Sequence, residues 1–410
     1  MSFQLGALRY LYDHSEFSPT SIVATSAGAI LGATLAQSID RDEQSRLLRA
    51  LEETWLAMDH PSQMFAEQAW FTKVQEQWEQ ISHMLPESDP GVGADMDATD
   101  SSTQELVKEA LDFDPSVEAD DFKISMAWQF LGALPRIGKV GAGLASTFRG
   151  AERAASAYRP GPIVHQLLFD SGFTSQAVRE SGMALRVAMV GLKSGALRFM
   201  REDGILVDEC DEPLTDTPVD LPLGIWASCS IPGVFKPVRI HGELYVDGGV
   251  RDNIPVTMAI DHMSAARTYV ISSSPHELAA TASDSVDMVS VVTRSIAILI
   301  DETGRDEVGF ALQRGALVVE PTIEVHTPME VSAPLLRINR DYGWMRTAEV
   351  MSGVSSGSSH EVTAARLELH RAEGNSTIRR CRKQLTKAIN SLNSTLRPEG
   401  WQEWADLNTG

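Results

Sequence analysis

The chain has 410 residues, 43% of them hydrophobic and 22% charged, which gives a soluble, globular chain with enough apolar material for a large core. Its 35 Lys and Arg against 56 Asp and Glu give a formal net charge of −21, which excludes broad nucleic-acid binding because that requires phosphate neutralisation. Cys210, Cys229 and Cys381 form neither a disulfide framework nor a metal-ligand spacing. No metal or other cofactor is implied. No apolar run reaches the ~18 residues of a membrane span, and the opening MSFQLGALRYLYDH lacks a signal-peptide pattern. A cytoplasmic or peripheral-membrane protein is the expectation.

In chain order, leucines at 5, 8 and 11 predict a helix over residues 2–13. Residues 21–25, SIVAT, predict a short buried strand, and 27–37, AGAILGATLAQ, a helix of small residues. Helical sequence continues over about 42–80 with a break at Pro61, and Trp55, Leu56, Phe65, Trp70 and Phe71 are candidate core residues. The stretch PESDPGVGADMDATDSS, 86–102, predicts an exposed loop. Residues 82–150 are expected to be an insertion. Its apolar half, about 124–148, is either packed on the core or a lid or membrane-facing surface.

Strand signals return at 184–200, as two strands around Lys193-Ser194-Gly195. A helix over 221–233 ends at Pro232-Gly233, and 238–249 reads as two strands around His241-Gly242. A short helix from Pro255 to His262, a strand over 267–272 and an apolar strand at 316–319 follow. The pattern predicts an α/β fold with a mainly parallel sheet. The domain is expected to run over 1–350. A Gly/Ser hinge at 352–359 and a helical tail then fill 351–410, with an apolar stripe at Ile378, Leu385, Ile389, Leu392 and Leu396.

Two motifs carry chemistry. Ala24-Thr25-Ser26-Ala27-Gly28 lies between a predicted strand and a predicted helix, as a nucleophile elbow does. Small neighbours are needed where the backbones crowd, and Gly28 meets that need, while Ala24 stands where the usual pattern has glycine. The new helix directs free N–H groups toward the serine, so the Ala27 N–H is a candidate oxyanion donor. Asp247-Gly248-Gly249, 221 positions after Ser26, places a carboxylate at a strand end before two turn-forming glycines. Such a carboxylate can accept the serine proton. Read alone, Ser26 could be an ordinary small-residue serine and Asp247 an ordinary turn aspartate. His241 and His262 are the nearest candidates for a third member, and His262 falls in the chain order that an elbow hydrolase uses.

Four ordered segments make the sequence resemble the patatin-like phospholipase family: SFQLGALRYL at 2–11, TSAGA at 25–29, ASCSIPGVFKPV at 227–238 and DGGVRDNIP at 247–255. AMVGLKSG at 188–195 is similar to the strand pair that precedes the last two, and the resemblance runs over about 1–345. It implies a three-layer α/β/α domain that hydrolyses acyl esters of lipids through a Ser-Asp dyad. Ser26 is then the nucleophile and Asp247 its base, with no role for His262. Family members carry a first strand and a glycine-rich oxyanion loop directly before the helix that Ser2–Leu11 resembles. In this chain Met1 takes the place of the loop's last residue, so strand and loop are expected to be absent, at ~3–4 kcal/mol of transition-state stabilisation per lost donor. Either Met1 is an internal start, or the chain is catalytically impaired.

The first functional expectation is therefore a serine acyl hydrolase acting on a lipid or acyl-ester substrate. The alternative is a catalytically impaired lipid-binding or scaffolding protein, with peripheral membrane contact through about 124–148. A protease-like serine enzyme has no peptide-binding signature to support it.

Overall fold

The computed structural model describes residues 1–67, 156, 158–167, 173–275, 288–327, 329–354, 357–372 and 377–402. The chain divides into two units, Met1–Glu67 with Ala155–Gly410, and Gln68–Ala154, and all described residues lie in the first. The expected insertion at 82–150, with its apolar segment at 124–148, therefore lies outside the described residues, as do Trp70 and Phe71.

The element order begins α1 (Ser2–His14), β1 (Ser21–Ala24), α2 (Ala27–Leu35) and α3 (Arg41–Leu56). Strands β2 (Phe65–Glu67) and β3 (Tyr158–Pro160) follow, then α4 (Ser175–Glu180), β4 (Ala184–Gly191), β5 (Leu197–Arg201) and β6 (Leu206–Val207). Next come α5 (Leu221–Ser228), β7 (Val238–Ile240), β8 (Glu243–Asp247) and β9 (Tyr269–Ile271). The chain continues through α6 (Met288–Gln313), β10 (Leu317–Val319), α7 (Ala333–Ser352), α8 (Ser358–Arg371) and α9 (Ile378–Ser391).

The fold is α/β, but the expectation of a mainly parallel sheet is corrected. In the six-stranded sheet β1 pairs parallel with β4, whereas β4–β5, β4–β8, β5–β6 and β7–β8 are antiparallel. The cause is local. The turn at 192–196 returns the chain at once from β4 to β5, and His241 (φ 47°) with Gly242 (φ 84°) makes a two-residue reversal between β7 and β8. Both residues take the left-handed conformation that such a tight hairpin requires, and no crossover of the length a parallel pair needs is present there. A separate short parallel pair joins β9 to β10, with α6 between them in the chain.

Elsewhere, α3 ends sooner than the apolar pattern suggests. It starts on an Asp40 carboxylate that accepts the Glu43 N–H at 2.9 Å, and beyond Pro61 the chain extends so that Phe65 stacks on Phe235 and meets Tyr158. The short helix expected at 255–262 is a single wide turn, Met258–His262.

Helix α1 is buried on most of its surface and crosses α7 in near backbone contact. Gly6 and Gly343 make this approach possible, since a methyl at Gly6 would strike the Arg340 carbonyl and one at Gly343 the Phe3 carbonyl. The apolar stripe of α9 lies in a cluster with Trp344, Met345, Val362 and Ala365, so the last helices pack on α7 and α8. Buried ion pairs tie the same elements together: Arg9 and Arg340 share Glu52, and Arg366 meets Asp341 at 2.7 Å.

Candidate active site

Strand β4 is the ruler that brings the two motifs together. Strand β1 runs parallel to it and ends with Ala24 opposite Val187. Strand β8 runs the other way and ends with Asp247 opposite Met189. Both lie along one edge of β4 and point toward each other, so the residues that follow Ala24 meet the last residue of β8. The Ser26 hydroxyl faces the Asp247 carboxylate closely enough to favour its ionised form.

Ser26 sits at φ 56°, ψ −137°, between β1 and α2. This is a conformation that a side chain adopts at a cost and that tertiary contacts must hold. Gly28 and Ala29 close the first turn on the carbonyls of Thr25 and Ser26, at 3.0 and 2.8 Å. The Ala27 N–H is left without a hydrogen-bond partner among the described residues, at the positive end of α2. The crowding expected at Gly28 is found instead at Gly32. A methyl at Gly28 would meet only the Gln4 Nε2 at 3.5 Å, whereas one at Gly32 would lie 3.1 Å from the Ala24 Cβ and 2.9 Å from the Ile22 Cγ2. The alanine at position 24 is thus accommodated by the absent side chain at 32.

Asp247 is buried, 1% exposed, and caps its own turn by accepting the Gly249 N–H at 2.9 Å. Burial pushes its carboxyl up to about 6, and the facing Ser26 hydroxyl and the Gly249 N–H oppose that rise. Gly248 is required here, since a methyl would lie 2.7 Å from the Ala188 backbone. A methyl at Gly249 would meet Asn253 Oδ1 and Asp247 Oδ1 at 3.2 Å, with Ile300 of α6 just beyond.

Neither histidine singled out in the sequence hydrogen-bonds Ser26 or Asp247 among the described residues. His241 turns its Nε2 to the Thr217 carbonyl at 3.2 Å, and His262 closes the wide turn after Met258.

Residues to which the sequence assigned no role surround the pair. The Ser26 N–H donates to the Ser228 hydroxyl at 2.9 Å, and the Cys229 thiol donates to the Ser26 carbonyl at 3.1 Å. The Asp247 N–H donates to the Ser230 carbonyl at 3.0 Å. On the other side the Thr25 hydroxyl reaches the Asp252 carbonyl at 3.4 Å. The Asp252 carboxyl hydrogen-bonds Glu307 of α6, which also accepts the Ile254 N–H at 2.5 Å, and burial raises both acids above the ordinary carboxylate range. The only sequence signal for the first group was the third matched segment, which spells Ser-Cys-Ser. Nothing local marks Glu307, 55 positions after Asp252 in another helix.

Among the described residues no helix is long and apolar enough to cross a membrane. A model of the family described as patatin-like phospholipase matches residues 1–260. Among solved structures the chain is similar to one titled "Crystal structure of VipD from Legionella pneumophila", at 12% identity over 96% of this chain and 79% of that one. The TM-score is 0.34, which carries no argument about fold or chemistry.

Proposed function

This chain belongs to the patatin-like phospholipase family, and we propose that it is a serine acyl hydrolase of lipid esters that works through a Ser26–Asp247 dyad. The family supplies the coarse activity, lipid acyl hydrolysis. The observation that carries the finer reading is the strained strand-to-helix serine whose hydroxyl faces a buried carboxylate.

In this reading Ser26 Oγ attacks the ester carbonyl carbon as its proton passes to Asp247. The tetrahedral oxyanion takes a hydrogen bond from the Ala27 N–H. The carbon–oxygen bond of the ester breaks, and the departing alkoxide takes the proton back from Asp247. Water then attacks the acyl-serine carbonyl, giving one proton to Asp247, and the acid leaves as Ser26 recovers that proton. A carboxyl raised to about 6 is a stronger base than an exposed aspartate and is still mostly ionised at neutral pH, as a proton acceptor must be. Gly28, Gly248 and Gly249 serve as backbone supports: the first closes the turn after the nucleophile, the other two shape the turn after the base.

Hydrolysis of a short-chain acyl ester by the native chain and by Ser26→Ala tests the reading. Loss of turnover with an unchanged unfolding midpoint is expected. Equal turnover removes Ser26 as the nucleophile, and no turnover by the native chain leaves the non-catalytic lipid-binding or scaffolding role as the account of the chain.

A further inference from the structure

We propose that the tripeptide Ser228-Cys229-Ser230 is a positioning clamp that holds both members of the dyad by their main chains and so keeps Ser26 Oγ on the Asp247 carboxylate. The proposal rests on the dyad reading above and assigns these residues a positioning role, not a chemical one.

Three consecutive residues make three bonds to two residues that are far apart in sequence. Ser228 accepts the Ser26 N–H, Cys229 donates to the Ser26 carbonyl, and the Ser230 carbonyl accepts the Asp247 N–H, at 2.9, 3.1 and 3.0 Å. Ser26 is therefore gripped at both of its backbone polar groups, on either side of its positive φ. The carbonyl also takes the Ala29 N–H at 2.8 Å from the helix it begins. A serine in this conformation relaxes unless its surroundings over-determine it. The first turn of α2 supplies part of that constraint, and the clamp supplies the part that refers to Asp247.

The clamp is itself rigid and dry. Ser228 and Ser230 are fully buried and Cys229 is 8% exposed. The tripeptide closes α5, with the Cys229 N–H on the Ile225 carbonyl at 3.1 Å and the Ser230 hydroxyl on the Trp226 carbonyl at 2.8 Å. Helix α5 packs against α2, β4 and β8, the elements that meet at the dyad. Its C-terminal end is thus fixed to the same frame as the two residues it holds.

Residue types follow from the bonds. Position 228 needs a small side chain with an acceptor, because an alanine there leaves the Ser26 N–H without its partner. Position 229 needs a donor that stays protonated beside a carboxylate. Burial and the neighbouring Asp247 both push the Cys229 thiol up, so it keeps its proton. A serine hydroxyl fits the same need. Position 230 acts through its main chain.

The test compares the native chain with Ser228→Ala, Cys229→Ala and Cys229→Ser in two measurements: kcat and KM on a short-chain acyl ester, and amide hydrogen exchange over residues 23–29. Displacing a reacting atom by ~1 Å costs on the order of a hundredfold in rate. Ser228→Ala is accordingly expected to lose ~10- to 100-fold in kcat with KM unchanged, and to exchange the Ser26 amide faster. Cys229→Ala should lose several-fold in kcat, and Cys229→Ser should recover it. Native kcat in Ser228→Ala, or unaltered exchange over 23–29, overturns the clamp. If Ser228→Ala does not fold, the cysteine pair decides: equal kcat in Cys229→Ala and Cys229→Ser overturns it. If the native chain itself releases no acid, the hydrolase reading fails. The clamp then stands or falls on exchange alone, upheld if Ser228→Ala exchanges faster and overturned if it does not.

Discussion

Ser26 and Asp247 meet because the two strands that carry them end facing one another along the same edge of β4, opposite Val187 and Met189. One strand runs parallel to β4 and the other antiparallel. A sheet of one orientation throughout would put one of these residues at the far end of its strand. The mixed topology is thus the means by which the site is assembled.

Asp247→Asn separates chemistry from stability. Removing the proton acceptor should lower turnover ~100- to 10,000-fold. The same change should stabilise the fold at neutral pH. The folded carboxyl sits near 6 against an ordinary 3.8, so the native state binds a proton more tightly than the unfolded chain does. Its contribution to stability is present below about 4 and lost as pH rises toward 6. An amide carries no charge to desolvate and can still accept the Gly249 N–H. A rise in unfolding free energy of up to ~3 kcal/mol is expected at pH 7–8, read by urea titration. A variant less stable than the native chain at that pH would contradict the account of Asp247 as a buried, desolvated acid.

The pH–rate profile should follow the same carboxyl. Only the ionised Asp247 can take the serine proton, so kcat/KM should rise through about pH 6 and level off above it. A profile flat from pH 5 to 8 would remove Asp247 from the proton path.

Asp252 and Glu307 share a buried site behind the turn, and both are raised by burial, with their mutual hydrogen bond lifting Glu307 further. Arg251 and Glu209 act on Asp252 in opposite directions from outside. An acid raised in the folded state binds its proton more tightly there, so stability falls as pH rises from the ordinary carboxylate range toward the raised value. Glu307→Gln keeps an acceptor for the Ile254 N–H and a donor for Asp252 without the titration. Its urea midpoint should pull ahead of the native one between pH 7 and 9. Glu307→Ala leaves both partners unmatched and should cost ~1–3 kcal/mol across the range. Parallel pH curves for the native chain and the glutamine variant would count against a shared buried proton.

Gly6→Ala and Gly343→Ala should each cost at least ~2 kcal/mol, because the added methyl meets a main-chain carbonyl of the crossing helix and neither helix can yield locally. Gly28→Ala should be close to neutral in stability, since its methyl meets only the end of the Gln4 side chain at 3.5 Å. Thermal midpoints of the three variants, measured together, check the contrast.

The two motifs, the strand–turn–helix around Ser26 and the hairpins at 184–201 and 238–247 were legible because each is encoded by adjacent residues. Apolar runs are bounded by glycine, proline or a polar turn. Sheet direction was legible only at the tight reversals at 192–196 and His241-Gly242, each of which forces an antiparallel pair. The pairing of β4 with β8 joins strands far apart in the chain, and short apolar strands look alike whichever way they run. Helix α7 was missed because Gly343, a weak helix former, interrupts its pattern. The residue is there for the close crossing with α1, a tertiary requirement that overrides propensity. The partners of the dyad were missed for a related reason. Ser228, Cys229 and Glu307 act through hydrogen bonds to residues far away in the chain, and no local periodicity records such a bond.

The central claim, that Ser26 is an activated nucleophile, is tested most directly by reacting the native chain with a fluorophosphonate and mapping the adduct by peptide mass spectrometry. The predicted result is one phosphonyl group on Ser26, formed faster above pH 6 than below it and suppressed in Asp247→Asn. An adduct on another residue, or none on Ser26 in the folded native chain, would contradict the claim.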